Sequence, residues 1–133
     1  MRRLRLTARA ISRLYDEELR PVGLRISQIG VLSALAESGG LPQRQLGEFL
    51  TLDTTTLSRN LRRMETQGWV LSRPGTDRRE RLIAITDSGR DLLMRAQPAW
   101  QRAQERLRAA LAPDLWDALW QGLPLAAKAA QEA

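Results

Sequence analysis

The sequence predicts a mostly α-helical fold carrying one small two-stranded β hairpin. Apolar residues recur at helical spacing along most of the chain. Two short runs, Val70-Leu71 continuing to about Arg73 and Arg81-Leu82-Ile83-Ala84-Ile85, read instead as strands. Between them Pro74-Gly75-Thr76-Asp77 is a turn signal. The 133 residues suffice for one domain with a real core and are too few for two.

Taken in order, Leu4, Ala8, Ile11 and Tyr15 mark a first helix, with Leu14 and Leu19 widening its apolar stripe, and Pro21 and Gly23 close it. Ser27 is the expected N-cap of a second helix bearing Ile29, Leu32 and Leu35, ended by Gly39-Gly40. Pro42 suits the first turn of a short third helix with Leu46, Phe49 and Leu50 turned inward. Asp53 caps a fourth helix running to about Gly68. After the hairpin, Thr86 or Asp87 caps the longest helix, where Leu93, Ala96, Trp100, Ala103, Leu107 and Ala110 alternate spacings of three and four in a coiled-coil-like seam. Pro98 is expected to kink it. Pro113 starts a last helix with Leu115, Trp116, Leu119 and Leu123; Gly122 and Pro124 are expected to weaken its end, and the alanine-rich tail to fray.

Composition narrows the function. With neither Cys nor His, disulfides, thiol redox sensing and nucleophile–His dyads are excluded, and a transition-metal site lacks its usual ligands. No apolar run approaches the roughly 20 residues of a membrane span, and no convincing signal peptide follows Met1. We therefore expect a cytoplasmic protein that is not an enzyme and holds no metal or cofactor. The net charge of +6 favours a polyanionic partner. Its distribution says where. Arg59, Arg62, Arg63, Arg73, Arg78, Arg79, Arg81 and Arg90 face only Glu65, Asp77, Glu80 and Asp87 over residues 57–90, a surplus of four. Beyond residue 90, five basic residues balance five acidic ones.

On the fourth helix Leu57, Leu61 and Met64 form one narrow inward stripe. At 3.6 residues per turn Thr55, Arg59, Arg62 and Thr66 fall opposite, flanked by Ser58 and Arg63. An ordinary solvated face would carry mixed Glu and Lys. This one carries hydroxyls and guanidinium groups, which bond to phosphates and base edges. Thr54, Thr55 and Thr56 are poor helix formers, so their use needs an offsetting reason; a helix N-terminus lined with hydroxyls suits a phosphate. The helices at about 42–49 and 53–68 have helix-turn-helix spacing. The following hairpin concentrates arginines at its tip, in a form that can enter a minor groove. Asp77 is placed to orient Arg79. The DNA-binding set is thus Thr54, Thr55, Thr56, Ser58, Arg59, Arg62, Arg63, Arg73, Arg78 and Arg79. Together these make a winged helix-turn-helix core at about 26–90, flanked by helices at about 1–20 and 91–133 in a single domain.

These residues resemble the MarR (multiple-antibiotic-resistance regulator) family of bacterial transcription factors. The resemblance rests on Leu57-Ser58-Arg59-Asn60-Leu61, Gly68-Trp69-Val70, Asp77-Arg78-Arg79 and the run Leu82 to Gly89, with Arg13 to Asp16 and Leu24 to Gln28 agreeing in layout. It implies a homodimer, joined through N- and C-terminal dimerisation helices at about 1–20 and 91–133, that places two recognition helices in the major grooves of a pseudo-palindromic operator on double-stranded DNA, as a repressor rather than an activator. It also implies a small aromatic or anionic effector bound between the dimerisation helices and the reader, where Arg9, Arg13, Tyr15 and Gln28 could face it, releasing the DNA. Lacking Cys and His, the chain departs from the thiol-oxidation and zinc-sensing relatives. The segment ahead of the first helix is short for the family. A competing reading is a winged-helix protein-interaction module without sequence-specific DNA binding. Against it stands the arginine-dense wing, since protein interface cores are depleted of charge. Steep salt dependence would separate the two.

Overall fold

The computed structural model describes residues 1–77 and 79–133. Among them run α1 (Arg2–Leu19), a 3-10 turn (Arg20–Val22), α2 (Ile26–Ser38), β1 (Leu41–Pro42), α3 (Gln43–Leu50), α4 (Thr54–Thr66), β2 (Val70–Pro74), β3 (Arg81–Ile85), α5 (Asp87–Ala110) and α6 (Pro113–Glu132). This is a winged helix architecture: a helical core with a small antiparallel sheet at one side.

The sheet has three strands, in the order β1-β3-β2, where the sequence predicts two. The hairpin pairs Val70 with Ile85 through to Pro74 with Arg81, and β1 adds Leu41 opposite Ile83. Gly39 and Gly40 (φ 74° and 133°) turn the chain back so that β1 reaches β3. A two-residue strand made by a distant pairing has no local periodicity to betray it.

Leu19, Leu32, Leu35, Leu46, Leu57 and Met64 are fully buried, and no polar or charged side chain joins them among the described residues. Leu57, Leu61 and Met64 seat α4 on this core as its apolar stripe requires. In α3 the expected inward Phe49 is 69% exposed, while Leu46 and Gly47 are buried. The cause is close helix packing. A Cβ on Gly47 would lie 3.2 Å from Leu57 Cδ2, so α3 turns its glycine, not its phenylalanine, towards α4.

The start of α2 also differs from expectation. Arg25, extended at φ −116°, is its N-cap, and Ser27 lies exposed in the first turn. Asp16 reaches across from α1, its Oδ1 accepting the Ile26 N–H at 2.8 Å, and Gln28 Oε1 accepts the Arg25 N–H at 3.0 Å. With those donors satisfied, Ser27 has no capping role to fill.

Thr86 does cap α5. Its hydroxyl accepts the Gly89 N–H at 3.0 Å and donates to the Gly68 carbonyl at 2.6 Å, while its own N–H donates to the Trp69 carbonyl at 3.0 Å. Any Cβ on Gly89 would run into that Trp69 carbonyl, so Thr86-x-x-Gly89 is a clasp binding the end of α4 to the long helix. Pro98 lies within α5 without dividing it.

The α5 seam is consumed inside the chain. Ala96 and Ala103 are core residues, Leu93, Trp100 and Leu107 pack against the core, and Ala110 is exposed. Tyr15 meets Trp100 with ring centroids 4.8 Å apart. Arg102 and Arg106 on α5 bond to Glu18 on α1 at 3.2 and 2.9 Å, and Arg106 also reaches Glu17 at 3.5 Å. The surplus apolar surface is instead on α6, which buries no residue and stays helical through Pro124 and the alanine-rich tail to Glu132. Leu115, Trp120, Leu123 and Leu125 are exposed there, as are Met1, Leu4 and Leu6 on or beside α1. No helix among the described residues is long and apolar enough to cross a membrane.

Candidate nucleic-acid interface

Asp53 begins the site. Extended backbone at this residue (φ −69°, ψ 159°) lets one carboxylate oxygen accept the Thr56 N–H at 2.7 Å and the other accept the Thr56 hydroxyl at 2.9 Å. These bonds, the backbone one first, hold the Asp53 carboxyl below the usual carboxylate range, and Arg59 adds to the effect. Thr56 therefore has its hydroxyl hydrogen committed to the cap. Thr54 and Thr55 beside it are exposed, and so are Arg59, Arg62 and Arg63 further along α4. Thr66 turns its hydroxyl back to the Arg62 carbonyl at 2.9 Å. Ser58 is half-buried at the edge of this face and accepts a hydrogen bond from Gln43 Nε2 on α3 at 3.0 Å.

In the wing, Arg73 is exposed on β2, across from Leu82. The tip is closed by the Gly75 N–H donating to the Glu80 carbonyl and the Glu80 N–H donating to the Asp77 carbonyl, both at 3.0 Å. Asp77 accepts the backbone N–H of Arg79 at 3.2 Å. It thus shapes the turn and leaves the exposed Arg79 side chain alone, contrary to the orienting role expected of it. Arg78 lies outside the described residues. An open groove of about 1030 Å³ lies between the wing and α3 with the start of α4; Gln43, Arg44, Glu48 and Thr54 are on one side and Asp77, Arg79, Glu80 and Arg81 on the other. Gln43, Arg44 and Arg81 were not among the residues picked from the sequence. The signal available for the first two was their place in the opening turn of the first helix of the helix-turn-helix pair.

Among the described residues, the salt bridges involve Arg44, Arg102, Arg106 and Lys128, and none involves Arg59, Arg62, Arg63, Arg73 or Arg79. The exposed guanidinium groups of α4 and the wing keep their full donor capacity for an external anion.

Of the four residues expected to face an effector, Arg9, Arg13 and Gln28 are brought together. They line a cleft of about 750 Å³ between α1 and the start of α2, with Arg20, Arg25 and Asp16. Tyr15 does not join them. It is 6% exposed, packed on Trp100, and burial raises its hydroxyl pKa against the lowering effect of a bond with Gln104. No cluster of three His, Cys, Asp or Glu side chains suited to a metal occurs among the described residues.

Comparison with known proteins agrees with this geometry. Residues 22–80 match the sequence model of the MarR family. The HTH-type transcriptional regulator YwoH of Bacillus subtilis is 38% identical over 80 residues, 60% of this chain and 58% of its own length, so the chain spans little more than half of that relative. The crystal structure of the M. tuberculosis transcriptional regulator MosR in complex with DNA superposes with a TM-score of 0.79 at 32% identity, over 96% of this chain and 94% of that one. A mutant MarR from E. coli complexed with operator DNA gives a TM-score of 0.84 at 25% identity, over 94% and 91% of the two chains.

Proposed function

The chain belongs to the MarR family, and we propose that it works as a dimeric, sequence-specific DNA-binding transcriptional regulator of the cytoplasm, a repressor released by a small anionic effector. One observation carries the DNA-binding role. Arg59, Arg62 and Arg63 on α4 and Arg73 and Arg79 on the wing are exposed and, among the described residues, in no ion pair, with Arg79 lining the groove beside the α4 N-terminus, whereas Arg102 and Arg106 of α5 are paired to α1. That MosR is seen with DNA and MarR with operator DNA supports the same role. The reader spans about 26–90; the terminal helices form the dimer, with the open apolar face of α6 as the main support.

The effector proposal rests on the α1–α2 cleft. Arg9, Arg13, Arg20 and Arg25 around it against the single Asp16 favour an anion, and nothing aromatic lines it. An aromatic ligand would find its surface at the smaller cleft of about 210 Å³ between α2 and α5, where Trp100 and Leu93 meet Ile29.

The test is selection of duplexes from a random pool, followed by binding across a salt series. Enrichment of a pseudo-palindromic sequence, bound by a dimer with affinity falling steeply in salt, is the expected outcome. Failure to enrich any sequence, with no binding at low salt, overturns the DNA-binding role.

A further inference from the structure

Ser58 and Gln43 form the one side-chain hydrogen bond between α3 and α4 among the described residues, and its polarity has a consequence for DNA reading. Hydroxyls on helices ordinarily return their hydrogen to a carbonyl one turn earlier, as Thr7 does to Arg3 and Thr66 to Arg62. Ser58 makes no such bond in this structure. Its oxygen accepts from the Gln43 amide at 3.0 Å instead, and an amide NH₂ can only donate. Ser58 therefore keeps its own hydrogen for another acceptor, and it sits half-buried beside the exposed Arg59 and Arg62.

We propose that Gln43 is a positioning residue for DNA recognition: by donating to Ser58 Oγ it fixes that hydroxyl as an outward hydrogen-bond donor aimed at an acceptor on the DNA. A hydroxyl free to rotate can serve either a donor or an acceptor and discriminates poorly. With one of its two lone pairs engaged by Gln43 and its hydrogen still available, it favours acceptors, such as purine N7, guanine O6, thymine O4 or a phosphate oxygen, over the amino groups of cytosine and adenine. Arg59 and Arg62 can only donate, and Ser58, with one of its two lone pairs taken by Gln43, is biased the same way, so this part of the face is predominantly a donor surface. The inference rests on the DNA-binding role proposed above.

The experiment is a double-mutant cycle on the folded full chain, using a duplex that the wild-type protein selects from a random pool. Ser58→Ala should weaken binding about 5- to 10-fold, the scale of one neutral hydrogen bond. Gln43→Met, which keeps the side-chain length and removes the amide, should weaken it about 3- to 5-fold. If Gln43 acts through Ser58, the double variant binds like Ser58→Ala alone. A base-edge acceptor shows as lost preference at one base pair per half-site, and a phosphate acceptor as equal weakening on all duplexes; either supports the assignment. Independent, multiplying effects would mean that Gln43 touches DNA by itself, and no effect of Gln43→Met would mean that the hydroxyl needs no orienting; each overturns it. Melting temperatures of the variants guard against misfolding. If wild-type protein selects no duplex, the failure belongs to the DNA-binding role; if it does and the cycle is multiplicative, only the role of Gln43 fails.

Discussion

Helices α4 and α6 both turn a broad face to solvent, and the two faces could hardly differ more in chemistry. That of α4 shows threonine hydroxyls and, among the described residues, unpaired arginines above a buried stripe of Leu57, Leu61 and Met64. That of α6 shows Leu115, Trp120, Leu123 and Leu125 and buries nothing. On α6 Trp116 and Trp120 stack at 5.5 Å, with the Arg108 guanidinium 5.9 Å from the Trp116 ring. An anchored helix with a hydrophilic cationic face is complete as a structure and lacks only an anion. An unanchored helix with an apolar face is incomplete as a structure and lacks a hydrophobic partner. Exposure is the same in both; what each face would gain by being covered is opposite.

The largest effect should come from charging the apolar face. Trp120→Glu is expected to disrupt the dimer, since losing a buried aromatic anchor costs about 2 kcal/mol or more. Sedimentation would show monomer, and operator binding would fall with it because each monomer reaches one half-site. A Trp120→Glu protein that sediments as wild type would remove α6 from the interface and leave its tryptophans unexplained. Gly89→Ala tests the clasp that holds the end of α4 to α5. The new Cβ collides with the Trp69 carbonyl, so thermal unfolding should show a loss of about 1–3 kcal/mol, as for other overpacked sites. An unchanged melting temperature would mean that α5 shifts freely on the reader.

On the cationic face, Arg59→Ala and Arg79→Ala should each weaken operator binding while the dimer and melting temperature hold. For a base contact the cost is about 1–3 kcal/mol. For a phosphate contact the loss is the same on all sequences, and the salt slope falls by about 1. Wild-type affinity in both variants would show that the unpaired arginines are merely solvated.

What the sequence disclosed follows the range of the interactions involved. The Asp53 cap, the Leu57–Leu61–Met64 stripe, the two strands of the hairpin and the exposed α4 arginines are set within a few residues, so local spacing revealed them. Phe49 was misplaced because Gly47 meets Leu57 from a different helix, which no periodicity within α3 encodes. Tyr15 passed for a ligand contact until Trp100, eighty-five positions away, was seen covering it. The α5 seam was legible as apolar, but its partner is α1 of the same chain, and the open surface is on α6. Gln43 showed in the sequence only by its place in the opening turn of α3; its bond to Ser58, fifteen positions on and in another helix, is not encoded locally.

The smallest effect separates the scaffold of α4 from its reading face. The Asp53 carboxylate is bonded in the folded chain and solvated in the unfolded one, so folding favours its charged form and its folded pKa lies below the ordinary 3.8. Its contribution to stability is therefore present above the ordinary value and disappears as pH falls through the depressed one. Asp53→Asn keeps a capping oxygen and loses the charge, so its acid-unfolding curve should be flatter than that of wild type below the ordinary pKa, with little change at neutral pH. Operator binding at pH 7 should barely move, because Asp53 shapes the helix start and contributes no donor to the reading face. If Asp53→Asn instead tightened DNA binding strongly while leaving acid unfolding unaltered, the carboxylate would be acting as a repulsive charge against phosphate, and Asp53 would belong to the interface, not to the scaffold beneath it.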